Sequence, residues 1–167
     1  MSTLPAWAES LEQSPIGSAI AESRYAFPII EGTHLIALSV AVGLIAITDL
    51  RLIGVLLKSV PADEVLRALR PYMLGGFLLV FVTGGLLFWA EASSVLASPA
   101  FVFKLLFIIL AGLNAAYFEF RVARQPGAWD EGSAISRKVK LAGAASLVLW
   151  SLTVICGRLI PYLTKWP

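Results

Sequence analysis

The sequence predicts an all-α polytopic membrane protein, with four transmembrane helices in an antiparallel bundle and short interfacial helices at the N-terminus. Three observations point there. The 167 residues are 58% apolar and only 14% charged, with a mean hydropathy of +0.82. Four apolar runs recur, each of about 20 residues, enough to cross a hydrocarbon core of about 30 Å. Proline stands near the start of three of them, at Pro28, Pro71 and Pro99, where its missing N–H does least harm to a helix. A chain of this length has room for one domain.

Residues 1–26 are expected to form a separate N-terminal segment at the membrane surface. Within it Leu4, Trp7, Ala8 and Leu11 share one helical face, the spacing of a short interfacial helix. Ser14 then offers an N-cap and Pro15 the favoured first helical position, so a second short helix runs to about Ser23. A loosely ordered tail is the alternative for such a terminus. No basic n-region precedes an apolar core here, so no secretory signal is expected.

The four-helix transmembrane domain covers 27–167, with spans at about 27–50, 71–90, 99–120 and 141–160. Pro61-Ala62-Asp63-Glu64 opens a short helix leading into span two, and Gln125-Pro126-Gly127 marks a turn in the linker 121–140. Orientation follows from the basic residues. The linkers after spans one and three, with their flanks, hold nine of the 13 lysines and arginines; Arg24, Lys104, Arg158 and Lys165 fall on the other side. The positive-inside rule puts the nine in the cytoplasm and both termini in the periplasm of a bacterial inner membrane. Trp7, Trp89 and Trp166 then lie at the outer interface and Trp129 in a cytoplasmic linker, while Trp150 is an exception in mid-span.

Several functions are excluded early. A net charge of +2, with no basic cluster interleaved with aromatics, argues against nucleic acid. A lone cysteine, Cys156, leaves no internal disulfide or cysteine-based zinc site. No catalytic triad, phosphate-binding glycine loop or dinucleotide fingerprint is present.

What remains is ionisable chemistry inside span one. His34 is the only histidine, and Glu31 precedes it by three residues on the same helical face. Ionisable groups at membrane depth are costly and point to function by default. At 1.5 Å per residue His34 lies about 10 Å below the outer end of its span. The ends of the other spans bring Lys104, Arg158, Glu91, Cys156 and Tyr162 to similar depth, with Arg24 just above.

Three readings fit this cluster. In the first it is an ion-pair network, with Glu31 orienting His34 while Lys104 and Arg158 neutralise the carboxylates. In the second it binds haem b: His34 is an axial iron ligand, Arg24, Lys104 or Arg158 pairs with the propionates, and Gly84 and Gly85 open space for the macrocycle. In the third it is a quinone or small-molecule pocket exchanging protons with Glu31 and His34. A second polar group, Asp49, Arg51, Arg70, Asn114 and Glu119, reads as a salt-bridge lock at the inner interface, with Met73 packing beside it. The small-residue faces Gly75, Gly84, Gly143 and Ala145 suit either a homodimer or packing within one chain.

The segment Ala21-Glu-Ser-Arg-Tyr-Ala-Phe-Pro-Ile-Ile-Glu-Gly-Thr-His34, followed by Asp49-Leu-Arg-Leu-Ile-Gly54, resembles a bacterial family of four-helix membrane proteins of unknown function. Thr83-Gly-Gly-Leu-Leu-Phe88, Pro99-Ala-Phe-Val-Phe-Lys104, Ala111-Gly-Leu-Asn114 and Cys156-Gly-Arg-Leu-Ile160 extend that likeness over most of the chain. The resemblance implies the fold and no activity. A histidine early in span one, an Arg-x-x-x-Pro-like entry to span two and Lys104 early in span three are also similar, at superfamily level, to HemJ-type protoporphyrinogen oxidases and copper-resistance D domains. That likeness implies a haem-associated role for His34 and Lys104. It does not carry the oxidase activity, because Asn114 stands where a histidine is usual and the methionine-rich entry is reduced to Met73. The leading expectation is a haem- or quinone-associated redox subunit; a non-catalytic accessory or scaffold subunit of a larger membrane complex is the alternative.

Overall fold

The computed structural model describes residues 5–123 and 136–163. The turn expected at Gln125-Pro126-Gly127, together with Trp129, Lys165 and Trp166, lies outside the described residues. Four helices are long and apolar enough to cross a membrane: α3 (Ala26–Ile53), α4 (Ala62–Ala90), α6 (Pro99–Tyr117, continued by a π-helical turn Phe118–Val122) and α7 (Arg137–Leu163). Short helices α1 (Ala6–Glu12), α2 (Pro15–Ala21) and α5 (Ala92–Ala97) are the others among the described residues. It is a small membrane protein, and large apolar side chains such as Leu35, Ile36, Leu78, Phe81 and Ile109 cover its outer surface as a bilayer requires.

Two boundaries differ from expectation. α4 is one helix from Ala62, not a short helix followed by a span starting at Pro71. Proline inside a helix costs about 3 kcal/mol, yet Ala62 and Leu66 pack into an inner cluster with Leu52, Phe118, Val122, Val139 and Ala142 that holds the first turns in place. Asp63 and Glu64 in that first turn also suit the helix dipole. Likewise α7 begins at Arg137 and continues through Pro161 to Leu163.

The bundle is held by small residues, because lipid offers no hydrophobic drive for helices to associate. On α3 the heptad-spaced His34, Ala37, Ala41 and Thr48 are buried. Opposite them on α4 stand Gly76 and Gly84. A Cβ on Gly76 would sit 3.1 Å from that of Ala41, and one on Gly143 of α7 would sit 3.1 Å from that of Leu52. Thus two glycines of the small-residue stripes, Gly84 and Gly143, serve packing within the chain. α3 packs against both α4 and α7, and α7 packs against α6. α4 and α6 have no comparable contact, which leaves a gap along one side of the bundle.

The N-terminal segment is a docked helical pair, not a loose tail. Ser14 caps α2 by accepting from the Gly17 N–H (3.2 Å) and donates to the Leu11 carbonyl (2.6 Å). It also accepts from the Trp89 indole N–H at 2.9 Å, tying the pair to the end of α4. The Glu12 carboxylate accepts from the Ser93 N–H (3.1 Å) at the start of α5, a capping contact on a helix N-terminus. Gly17 is required here: a side chain would collide with the carbonyl oxygens of Glu12 and Leu11. At the other end of α3, Gly54 takes a left-handed φ of 88°, and the N–H groups of Gly54 and Val55 fold back onto the Leu50 carbonyl.

Candidate functional site

His34 faces protein, with 9% of its surface exposed. Its ring lies against Gly84 of α4, where a Cβ would stand 3.0 Å from Cε1. Nδ1 is 2.9 Å from the Thr83 hydroxyl, which donates its own proton to the Leu79 carbonyl at 2.7 Å. A hydroxyl has one proton to give, so Nδ1–H donates to Thr83 and Nε2 keeps its lone pair. The orienting partner is therefore Thr83. Among the described residues Glu31 makes no hydrogen bond to His34, and its side chain is on the exposed side of α3.

The remaining residues of the expected cluster divide in two. Lys104 turns inward from α6 and runs along Gly157 of α7, with Nζ 3.6 Å from where a Cβ would stand. Arg24 and Arg158 are exposed, their guanidinium carbons 5.8 and 5.2 Å from the ring centroids of neighbouring Tyr25 and Tyr162. Acids gather beside the N-terminal pair instead. Burial, then repulsion from the Glu31 and Glu12 carboxylates, pushes Glu91 above its ordinary 4.5.

Space around the ring is limited on one side. Gly84, expected to open room for a macrocycle, is occupied by the imidazole edge itself. That edge of the ring is taken up by α4, while Nε2, the nitrogen through which an imidazole would bind iron, keeps its lone pair. His34 lines neither of the two cavities described here.

The larger of those cavities lies towards the other, basic end of the bundle. It has a volume of about 400 Å³ and is walled by all four spans, in the gap between α4 and α6. Small-molecule sites typically enclose about 300–1,000 Å³. The Arg70–Glu119 ion pair (2.5 Å) bridges the gap at the basic end, and Phe88 stacks on Phe101 (5.5 Å) to bridge it at the other. Ile45, Met73, Phe77, Ile108 and Trp150 make the lining mostly apolar. The mid-span Trp150 finds its role here, its ring 4.7 Å from that of Phe77.

A few polar groups meet that lining. Asn114 donates to the Ala142 carbonyl at 3.0 Å, joining α6 to α7. Ser146 of α7 is a hydrogen-bonding partner of Asp49. Asp49 itself is only 6% exposed, and among the described residues its Oδ2 has no hydrogen-bond partner. The salt-bridge lock expected here is thus partial. Arg70 and Glu119 form it, but Arg51, two residues from Asp49 and so on another face, donates to the Val60 carbonyl at 2.6 Å. Sequence reasoning gathered most of these polar residues but assigned them to the interface. The two signals that could have redirected it were an acid in span one and a tryptophan in mid-span.

No curated protein and no solved structure matches the chain. A family described only as being of unknown function, DUF6644, matches residues 6–163, all of the described helices. Four apolar spans, the docked N-terminal pair and the groups around His34 and Asp49 all fall within that match, so this membrane protein belongs to the DUF6644 family.

Proposed function

We propose that this protein is a membrane-embedded binding protein for a small lipophilic molecule, which enters sideways from the bilayer between α4 and α6. One observation carries the reading: a cavity of about 400 Å³ walled by four spans, apolar in most of its lining, on the side where two helices do not pack together. Void space in a bundle otherwise packed through glycine and alanine forfeits dispersion contacts, so an occupant stabilises it. The basic-residue bias supports a bacterial inner membrane with the Arg70 end in the cytoplasm and both termini in the periplasm.

The redox reading attaches to His34. Its Nε2 lone pair suits a hydroxyl donor such as a quinol, or a metal ion. The accessory-subunit reading needs no ligand. One experiment separates them: purify the protein in lipid nanodiscs, record its absorption spectrum, and analyse the organic extract by mass spectrometry. A lipophile enriched over bulk lipid and lost in Gly112→Leu supports the cavity. Gly112 lines it, and a Cβ there meets nothing within 4 Å. A Soret band or an enriched quinone that disappears in His34→Ala moves function to the histidine. A colourless protein with an extract identical to bulk lipid, in wild type and Gly112→Leu alike, leaves the accessory role.

A further inference from the structure

The cavity contains one group that its protein neighbours do not satisfy. Asp49 sits in the wall, 6% exposed, with no hydrogen bond to Oδ2 among the described residues. Neither arginine flanking this end serves it: Arg51 is held by the Val60 carbonyl and Arg70 by Glu119. A buried carboxylate with one oxygen unpaired and no counter-charge is expensive, and more so at membrane depth; Ser146 meets it with a neutral hydroxyl only.

We infer that the ligand of this cavity is an amphiphile with a protonated amine head, held by the Asp49 carboxylate, and an apolar body lying against Phe77 and Trp150. This rests on the reading of the cavity as a ligand site and adds the chemistry of the head group. An ammonium supplies both things Asp49 lacks, a donor for Oδ2 and a positive charge. Ser146 and Trp150 are four apart on α7 and so share a face, one turn from each other. A head between Asp49 and Ser146 therefore continues into a body beneath the indole. An alcohol head offers a donor without charge and binds less tightly. A carboxylate head is repelled.

The test uses full-length protein in nanodiscs and three ω-bromoalkyl probes of one chain length: the amine, the alcohol and the carboxylate. Bromine in the cavity quenches Trp150, and the saturable part of the quenching is assigned by its loss in Trp150→Phe. The expected order on unaltered protein is amine, then alcohol, then carboxylate, with at least tenfold between the first two. Asp49→Asn lowers amine affinity at least tenfold and leaves the alcohol nearly unchanged. Gly112→Leu abolishes saturable quenching by all three. If the amine and alcohol bind equally and Gly112→Leu still blocks both, the head-group assignment falls while the cavity reading stands. If no probe gives a saturable component, both fall. The ranking on unaltered protein decides the matter even where Asp49→Asn does not fold.

Discussion

Replacing Thr83 with valine keeps the shape of the side chain and removes the only hydroxyl that meets Nδ1 of His34. The bond is 2.9 Å long and its two residues are 9% and 5% exposed, so among the described residues the only other acceptor beside the ring is the Val80 carbonyl, which compensates in part. A buried donor left unpaired costs about 1–3 kcal/mol in soluble proteins. Between membrane helices the measured couplings are smaller, averaging about 0.6 and reaching about 1.7 kcal/mol, because the separated helices also find partners. An expectation of about 1 kcal/mol follows, with Thr83→Ser nearly neutral. The assay is a double-mutant cycle of Thr83→Val and His34→Leu, read by reversible unfolding in bicelles. Nitrogen NMR of the imidazole gives a second readout, since loss of the acceptor releases the Nδ1–H tautomer. Additive single mutants, with an unchanged histidine spectrum in Thr83→Val, would refute the assigned geometry.

Three further outcomes follow from other parts of the molecule. Gly17→Ala forces a Cβ onto the Glu12 and Leu11 carbonyls and should undock α1 and α2, seen as faster proteolysis near Ser14 with an unchanged far-UV spectrum; equal protease resistance counts against that close approach. Glu91 has a folded pKa raised above its unfolded 4.5, so the folded state holds the proton more tightly and stability falls as pH rises from about 4.5 through the folded value. Glu91→Gln should therefore raise the melting temperature at pH near 8 and have no effect well below 4.5, and the opposite pH order would contradict the crowding of Glu91, Glu31 and Glu12. Arg70→Ala should cost less than about 1 kcal/mol, because a pair in which each side chain is more than a third exposed is well screened; a loss of several kcal/mol would mean that the pair closes the cavity mouth.

The amino-acid sequence by itself determined that four segments cross a bilayer and where Ser14 and Pro15 start a surface helix. Those features depend on a local quantity, the length of an apolar run or the fit of one capping side chain, and a bilayer or a helix end selects for it directly. It also marked His34, Asp49 and Trp150 as unusual for their depth. Only the tertiary structure decided what each meets. His34 bonds Thr83 and not Glu31 because the rotation of α3 against α4 follows the side-chain-free surface at Gly84, which an i, i+3 spacing on α3 does not encode. Asp49 is left without a counter-charge because two residues along a helix turn Arg51 towards Val60, and because Arg70 pairs with Glu119 on the π-helical turn. The gap between α4 and α6 arises from the order in which the spans pack around α3 and α7, a long-range choice made by small residues far apart in the chain.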